Sequence, residues 1–288
     1  MKDNLFTENL RHSAGMRILL FLIIMLVSTM LGLAISTFFV MAGDTGVKIM
    51  QGITSTMMFI VPPIVYYFIT RKVRPMRGLG LRKIGTPWGL FLLIGFLLMF
   101  VSLPVTNQLT EWNESMKLGG AFAKIEEWIK TLEETAAAAT EKMLQADTIG
   151  GLLLNLLIIA LIPAIGEELT FRGVLQQSLT RGMKNPHVAI ILSAAIFSFI
   201  HFQFYGFLPR MFLGILLGYM FYVSGSLWTS MLMHFVNNGT AVVLYYLNGK
   251  GILNIDVDHF GAMPLWVTAI SAAVTTALLI WMWRKRKA

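Results

Sequence analysis

The chain contains no cysteine. That excludes a disulfide framework, a thiolate nucleophile and any cysteine-based zinc site. Charge is sparse as well: Asp, Glu, Lys and Arg make up 13% of the 288 residues. A soluble globular domain carries roughly twice that share. There is no fixed-period repeat and, apart from the alanine run at 136–139, no low-complexity segment. No glycine-rich phosphate loop follows a strand, and no strands are expected, so a nucleotide-cofactor enzyme fits poorly. What is abundant is apolar surface: 56% of residues are hydrophobic. They cluster in runs of about twenty, the length that crosses a bilayer as a helix. The pattern predicts an all-α, polytopic membrane helix bundle forming a single domain over residues 1–288.

Eight spans are expected, at residues 18–41, 53–69, 88–105, 149–165, 188–201, 207–223, 228–247 and 264–283. The first is too long in its apolar core for a signal peptide and lacks a small-x-small cleavage site. Pro62 and Pro63 should kink the second, which membrane helices tolerate when neighbours satisfy the freed backbone. Net charge is +8. The basic residues sit mostly beside apolar runs, as the positive-inside bias requires, so nucleic acid is not an expected partner. Residues 71–83 hold six basic residues and no acidic one, and residues 284–287 are Arg-Lys-Arg-Lys. These ends, with the basic start, place both termini in the cytoplasm of what reads as a prokaryotic cytoplasmic membrane. The long polar insertion at 107–148 carries eight acidic residues against four lysines, which suits the outer side. Within it Phe122, Ile125, Trp128, Ile129, Leu132 and Ala136 recur at helical spacing. This predicts an amphipathic helix with an apolar underside, lying on the membrane or capping the bundle. A connector is the favoured role, a lid over substrate the other.

Chemistry concentrates after the fourth apolar run, in Pro163-Ala-Ile-Gly-Glu-Glu-Leu-Thr-Phe-Arg172. Glu168 and Arg172 are four residues apart and share a helix face, so they can pair. Glu167 is turned by about 100° from Glu168 and stays available. His201 closes the fifth run, four residues after Phe197. His234 lies inside the seventh, with Asn238 one turn later on the same face. Ionisable groups at such depth usually face a cavity or a partner. Amide hydrolysis needs a base that activates water and donors that hold the oxyanion. Glu167 with His201 could serve the first need, His234 with Asn238 the second. Zinc held by Glu167, His201 and His234 is an alternative, weakened because no two candidate ligands share a helix in a His-Glu-x-x-His pattern. Arg210 reads as a snorkelling interfacial cation. Asn237 points away from Asn238, and His187 and His259 lie in loops.

Three pieces in order resemble one family. Glu167-Glu168-x-x-x-Arg172, Phe197-x-x-x-His201 and His234-x-x-x-Asn238 are similar to the motifs of the CAAX prenyl protease and bacteriocin-processing (CPBP) intramembrane proteases, which include the Ras-converting enzyme. The resemblance covers about residues 161–247. It implies an eight-helix bundle whose cavity opens to the cytoplasmic side and to lipid. It also implies an endopeptidase in which Glu167 and His201 activate water and His234 and Asn238 form the oxyanion hole. Glu168 and Arg172 would then fix the helix bearing Glu167. The substrate would be a membrane-tethered protein or hydrophobic peptide, with or without a lipid modification, cut near the cytoplasmic face. No cofactor is expected, with Zn2+ as the alternative because the family has been classed as metalloproteases. A non-catalytic scaffold or bacteriocin-immunity protein, binding a peptide or partner helix in the same cavity, is the competing function. A transporter is disfavoured by the lack of an inverted repeat.

Overall fold

The computed structural model describes residues 14–71, 78–81, 88–117, 119–257 and 259–287. The expectations for the first thirteen residues, and for most of the basic 71–83 segment, lie outside them. Among the described residues there is no strand, and the chain is an all-α polytopic bundle. Its helices are α1 (Ala14–Ser36), α2 (Gly43–Thr70), α3 (Trp88–Val101), α4 (Leu103–Ser115), α5 (Ala123–Leu144), α6 (Ile149–Met183), α7 (Pro186–Phe199), α8 (Phe207–Ser224), α9 (Leu227–Gly249) and α10 (Leu265–Lys287).

Five helices among the described residues are long and apolar enough to cross a membrane, or six if α3 and α4, bent by 43°, count as one span. The eight expected spans are therefore not all of one kind. Helix α7 has 14 residues, about 21 Å at the α-helical rise, short of the ~30 Å hydrocarbon core. Helix α9 has 23 residues but is interrupted by His234, Asn237 and Asn238, and it does not pass as a simple apolar span. Helix α6 runs on without a break from the fourth apolar run to Met183, so the acidic pair and Arg172 lie within it rather than at its exit.

The prolines of α2 do not break it. A π-helical turn, Thr56–Ile60, precedes Val61, and the span continues to Thr70. In α-helical register Pro63 would have served the Phe59 carbonyl, but proline has no N–H. Thr170 Oγ1 of α6 donates to that carbonyl at 3.0 Å. Gly166 allows the approach: a Cβ there would lie 2.8 Å from Phe59 Cβ. The proline and the glycine thus set α2 against the part of α6 that carries Glu167.

The two ends of the bundle differ. At one end Gln177 Nε2 reaches the Gly78 and Leu79 carbonyls, Leu227 N donates to Gly80 O, and His187 stacks on Trp283. At the other end α5 meets the α7–α8 loop, where Tyr205 N donates to Glu133 Oε1 at 2.7 Å. Asn113 there accepts from Leu208 N and donates to Phe204 O.

Of the two placements expected for the amphipathic helix, α5 has the orientation of one lying on the membrane: Phe122, Ile125, Trp128 and Leu132 are exposed, whereas Glu126, Ile129, Glu133 and Ala136 are half-buried against the protein. The apolar stripe faces outward and the polar face covers a cavity. The C-terminus of α5 is tied to the bundle by buried polar groups. Lys48 Nζ donates to Gln145 O at 2.9 Å and to Asn155 Oδ1 at 2.8 Å, while Asn155 Nδ2 donates to Leu144 O at 2.8 Å. Asn155 is the one polar residue in the 149–165 run. Replacing it by leucine takes the amide donor from the Leu144 carbonyl and leaves the Lys48 ammonium with Gln145 O alone, at a cost of about 1–3 kcal/mol for each bond lost. Asn155→Leu is expected to make α5 at least tenfold more sensitive to limited proteolysis in detergent. Unchanged cleavage within residues 119–148 would contradict this clamp.

Candidate active site

Helix α6 widens into a π-helical segment, Leu169–Gln176, directly after the acidic pair. Such segments recur where a helix must re-aim side chains at a site. Glu168 and Arg172 still pair as the spacing predicts: Nη1 donates to Oε1 at 2.7 Å, with the side chains 0% and 1% exposed. Arg172 Nη2 donates to the Gly214 carbonyl of α8 at 2.9 Å, and its guanidinium lies 4.8 Å from the Phe197 ring centroid.

Glu168 has a second partner that the spacing does not reveal. His234 Nδ1 lies 3.0 Å from the same Oε1. An ionised carboxylate only accepts, so Nδ1 carries the proton, and Nε2 is turned toward Glu167 Oε2, 3.7 Å away. Glu168 and Arg172 therefore hold the His234 imidazole as well as the helix bearing Glu167.

His201 is oriented by a different acceptor. Its Nδ1 donates to the Phe197 carbonyl at 2.8 Å, which leaves Nε2 unprotonated in the neutral ring. The Phe197 ring packs edge-on against both histidines, at centroid distances of 5.1 Å to His201 and 6.0 Å to His234. This phenylalanine, the Arg172 guanidinium and the two imidazoles form one block, which is why the four-residue spacing from Phe197 to His201 matters.

Asn238 donates from Nδ2 to Ile159 O at 3.4 Å. That carbonyl is the one an α-helical N–H at position 163 would serve, and residue 163 is proline. Asn237 Nδ2 donates to Asn238 Oδ1 at 3.1 Å, so the neighbour set aside on helical geometry orients the amide.

Glu167, His201, His234 and Asn238 all line one cavity of about 790 Å³. Its other walls come from Thr106 and Thr110 of α4, Lys130, Glu133 and Glu134 of α5, Gln203 and Tyr205 of the α7–α8 loop, and Arg210 in the first turn of α8. This corrects the expected layout, which put the insertion and the site at opposite faces. The cavity runs from Glu167 toward the end of the bundle that carries α5. The short α7 accounts for this, because the α7–α8 loop turns back within the bundle and leaves space that α4 and α5 cover. Arg210 is corrected with it: the side chain lines the cavity rather than reaching for a headgroup. Burial pushes the Glu133 carboxyl above its ordinary range, opposed in part by the Tyr205 and Phe204 N–H groups that donate to it.

Among the described residues no three His, Asp or Glu side chains converge closely enough to hold a metal ion. Glu167, His201 and His234 share the cavity, each histidine with Nδ1 bonded to a protein acceptor and Nε2 uncommitted.

No curated protein and no solved structure matches the chain. Residues 149–240 match the family described as "Type II CAAX prenyl endopeptidase Rce1-like". The matched stretch begins at α6, holds all three motif pieces and leaves α1–α5 outside. By this match, the stretch from α6 into α9 that brings the three pieces together in one cavity is similar to the CAAX-type intramembrane endopeptidases.

Proposed function

We propose that the chain hydrolyses a peptide bond in a membrane-tethered protein or hydrophobic peptide, using water activated by Glu167 and His201. One observation carries the reading: both histidines commit Nδ1 to protein acceptors and leave Nε2, together with the Glu167 carboxylate, in the same cavity. Water bound there loses a proton to Glu167 or to His201 Nε2 as its oxygen attacks the carbonyl carbon. The oxyanion that forms accepts from Asn238 Nδ2 and from His234 Nε2. With Nδ1 spent on Glu168, His234 donates from Nε2 only when the ring carries its second proton. His234 Nε2 and Glu167 Oε2 are 3.7 Å apart, near enough to pair by charge but too far for a hydrogen bond. Breakdown returns a proton to the leaving nitrogen and closes the cycle.

The basic end of the bundle is the cytoplasmic one by the positive-inside bias. Substrate then enters from the opposite face, beneath α5, rather than near the cytoplasmic face.

The test is cleavage of a membrane-tethered peptide library by the purified, reconstituted chain after exhaustive chelation, read by mass spectrometry. Cleavage at defined bonds that survives chelation is expected. Loss on chelation with restoration by zinc would replace this mechanism by the metal-dependent one. No cleavage, with retained peptide binding, would favour the scaffold or immunity reading.

A further inference from the structure

We infer that Arg210 is a substrate-holding residue, whose free guanidinium nitrogen donates to a backbone carbonyl of the bound peptide; the inference rests on the proposed peptidase reading. Arg210 lies in the first turn of α8 and lines the cavity beside Glu167, His201 and Asn238. Its Nη2 donates to Gln203 Oε1 at 2.6 Å. Its Nη1 is buried and has no hydrogen-bond partner. Nearly every buried polar atom in a folded protein is satisfied, so a buried charged donor without a partner, in a side chain that lines the cavity, requires explanation. The position is built rather than accidental. The guanidinium packs over Gly206, where a Cβ would meet Nη2 at 2.9 Å and Nη1 at 3.4 Å and would push the side chain from its present place.

Electrostatics chooses the acceptor. Glu167 and Glu133, both lining the cavity, act on the Arg210 charge. Two carboxylates already face one guanidinium, and a third from the substrate would lack a counter-charge. A neutral carbonyl can take the open N–H without that cost. An extended peptide presents such oxygens beside the scissile bond, and Arg210 shares the cavity with the groups that would cut it. A structural counter-ion would account for the charge but not for the open nitrogen.

The experiment uses the library peptide that wild type cleaves fastest. Thioamides, poorer acceptors than amides, replace each carbonyl flanking the scissile bond in turn. One analogue is expected to lose about tenfold in kcat/KM with wild type, mainly through KM, and to be equal to its parent with Arg210→Met. Equal losses in both enzymes at every position would overturn the contact. Melting in detergent accompanies each variant, and Arg210→Gln carries the same comparison if Arg210→Met does not fold. Binding of the same peptides to Glu167→Gln, with and without Arg210→Met, reads the contact without turnover. A chain that binds with this coupling but never cuts sinks the peptidase reading alone. A chain that cuts without the coupling sinks the Arg210 contact alone.

Discussion

Arg172→Met is expected to prevent the protein from accumulating in a folded form. Arg172 is among the largest fully buried side chains, and it joins three helices: Glu168 on its own, Gly214 on α8 and Phe197 on α7. Removing one partner of a buried ion pair costs about 3–5 kcal/mol, because the other charge stays behind unpaired. Total stabilities lie at about 5–15 kcal/mol, so this loss alone consumes a large share. His234 would then face a Glu168 no longer held in place. Arg172→Lys should recover only part of the loss, since an ammonium lacks the fork that reaches both Glu168 and Gly214. Thermal unfolding in detergent checks this. Pairing Arg172→Met with Glu168→Gln should be less damaging than the sum of the two singles, because the stranded charge is gone. A single variant melting within a few degrees of wild type would contradict the account.

The two histidines are expected to separate under substitution by alanine. His201 makes its one polar contact with a backbone carbonyl at the end of α7. Its loss should leave folding nearly intact and reduce turnover by roughly 10²–10⁴, the range of a general acid–base group. His234 is 3% exposed and completes the Glu168–Arg172 pair. His234→Ala should lose turnover on the same scale and also about 1.5–3 kcal/mol of stability, the worth of a hydrogen bond to a charged group. Turnover and melting measured on the same preparations distinguish the two. Equal destabilisation by both substitutions would mean that His201 has a structural role these contacts do not show.

Much of this is legible in the residues, for identifiable reasons. Apolar runs of about twenty can only be satisfied as helices in a bilayer. The i, i+4 spacings of Glu168 with Arg172, Phe197 with His201 and His234 with Asn238 put each pair on one helix face, whatever the helices pack against. The orientation of α5 is not legible. Periodicity shows that Phe122, Ile125, Trp128 and Leu132 form a stripe, but lipid and protein core are both apolar, so the stripe alone does not say which it meets. The bond from His234 to Glu168 joins residues 66 apart, and no local pattern encodes it. Asn155 carries a readable signal: a lone amide in an apolar run needs a partner, and its partner is Lys48. Arg210 carries the same signal, but it is masked, because the first turn of a span is also where a snorkelling cation is common.

The most direct test of the central claim is to compare wild type and Glu167→Gln in the same liposomes, equal in melting temperature, against the same membrane-tethered peptides. The substitution keeps the size of the side chain and removes its ability to take a proton. The account predicts defined cuts by wild type and at least a thousandfold less product from the variant, toward the upper part of the range for a lost general base. Equal product from both would contradict it and assign the chemistry to another group.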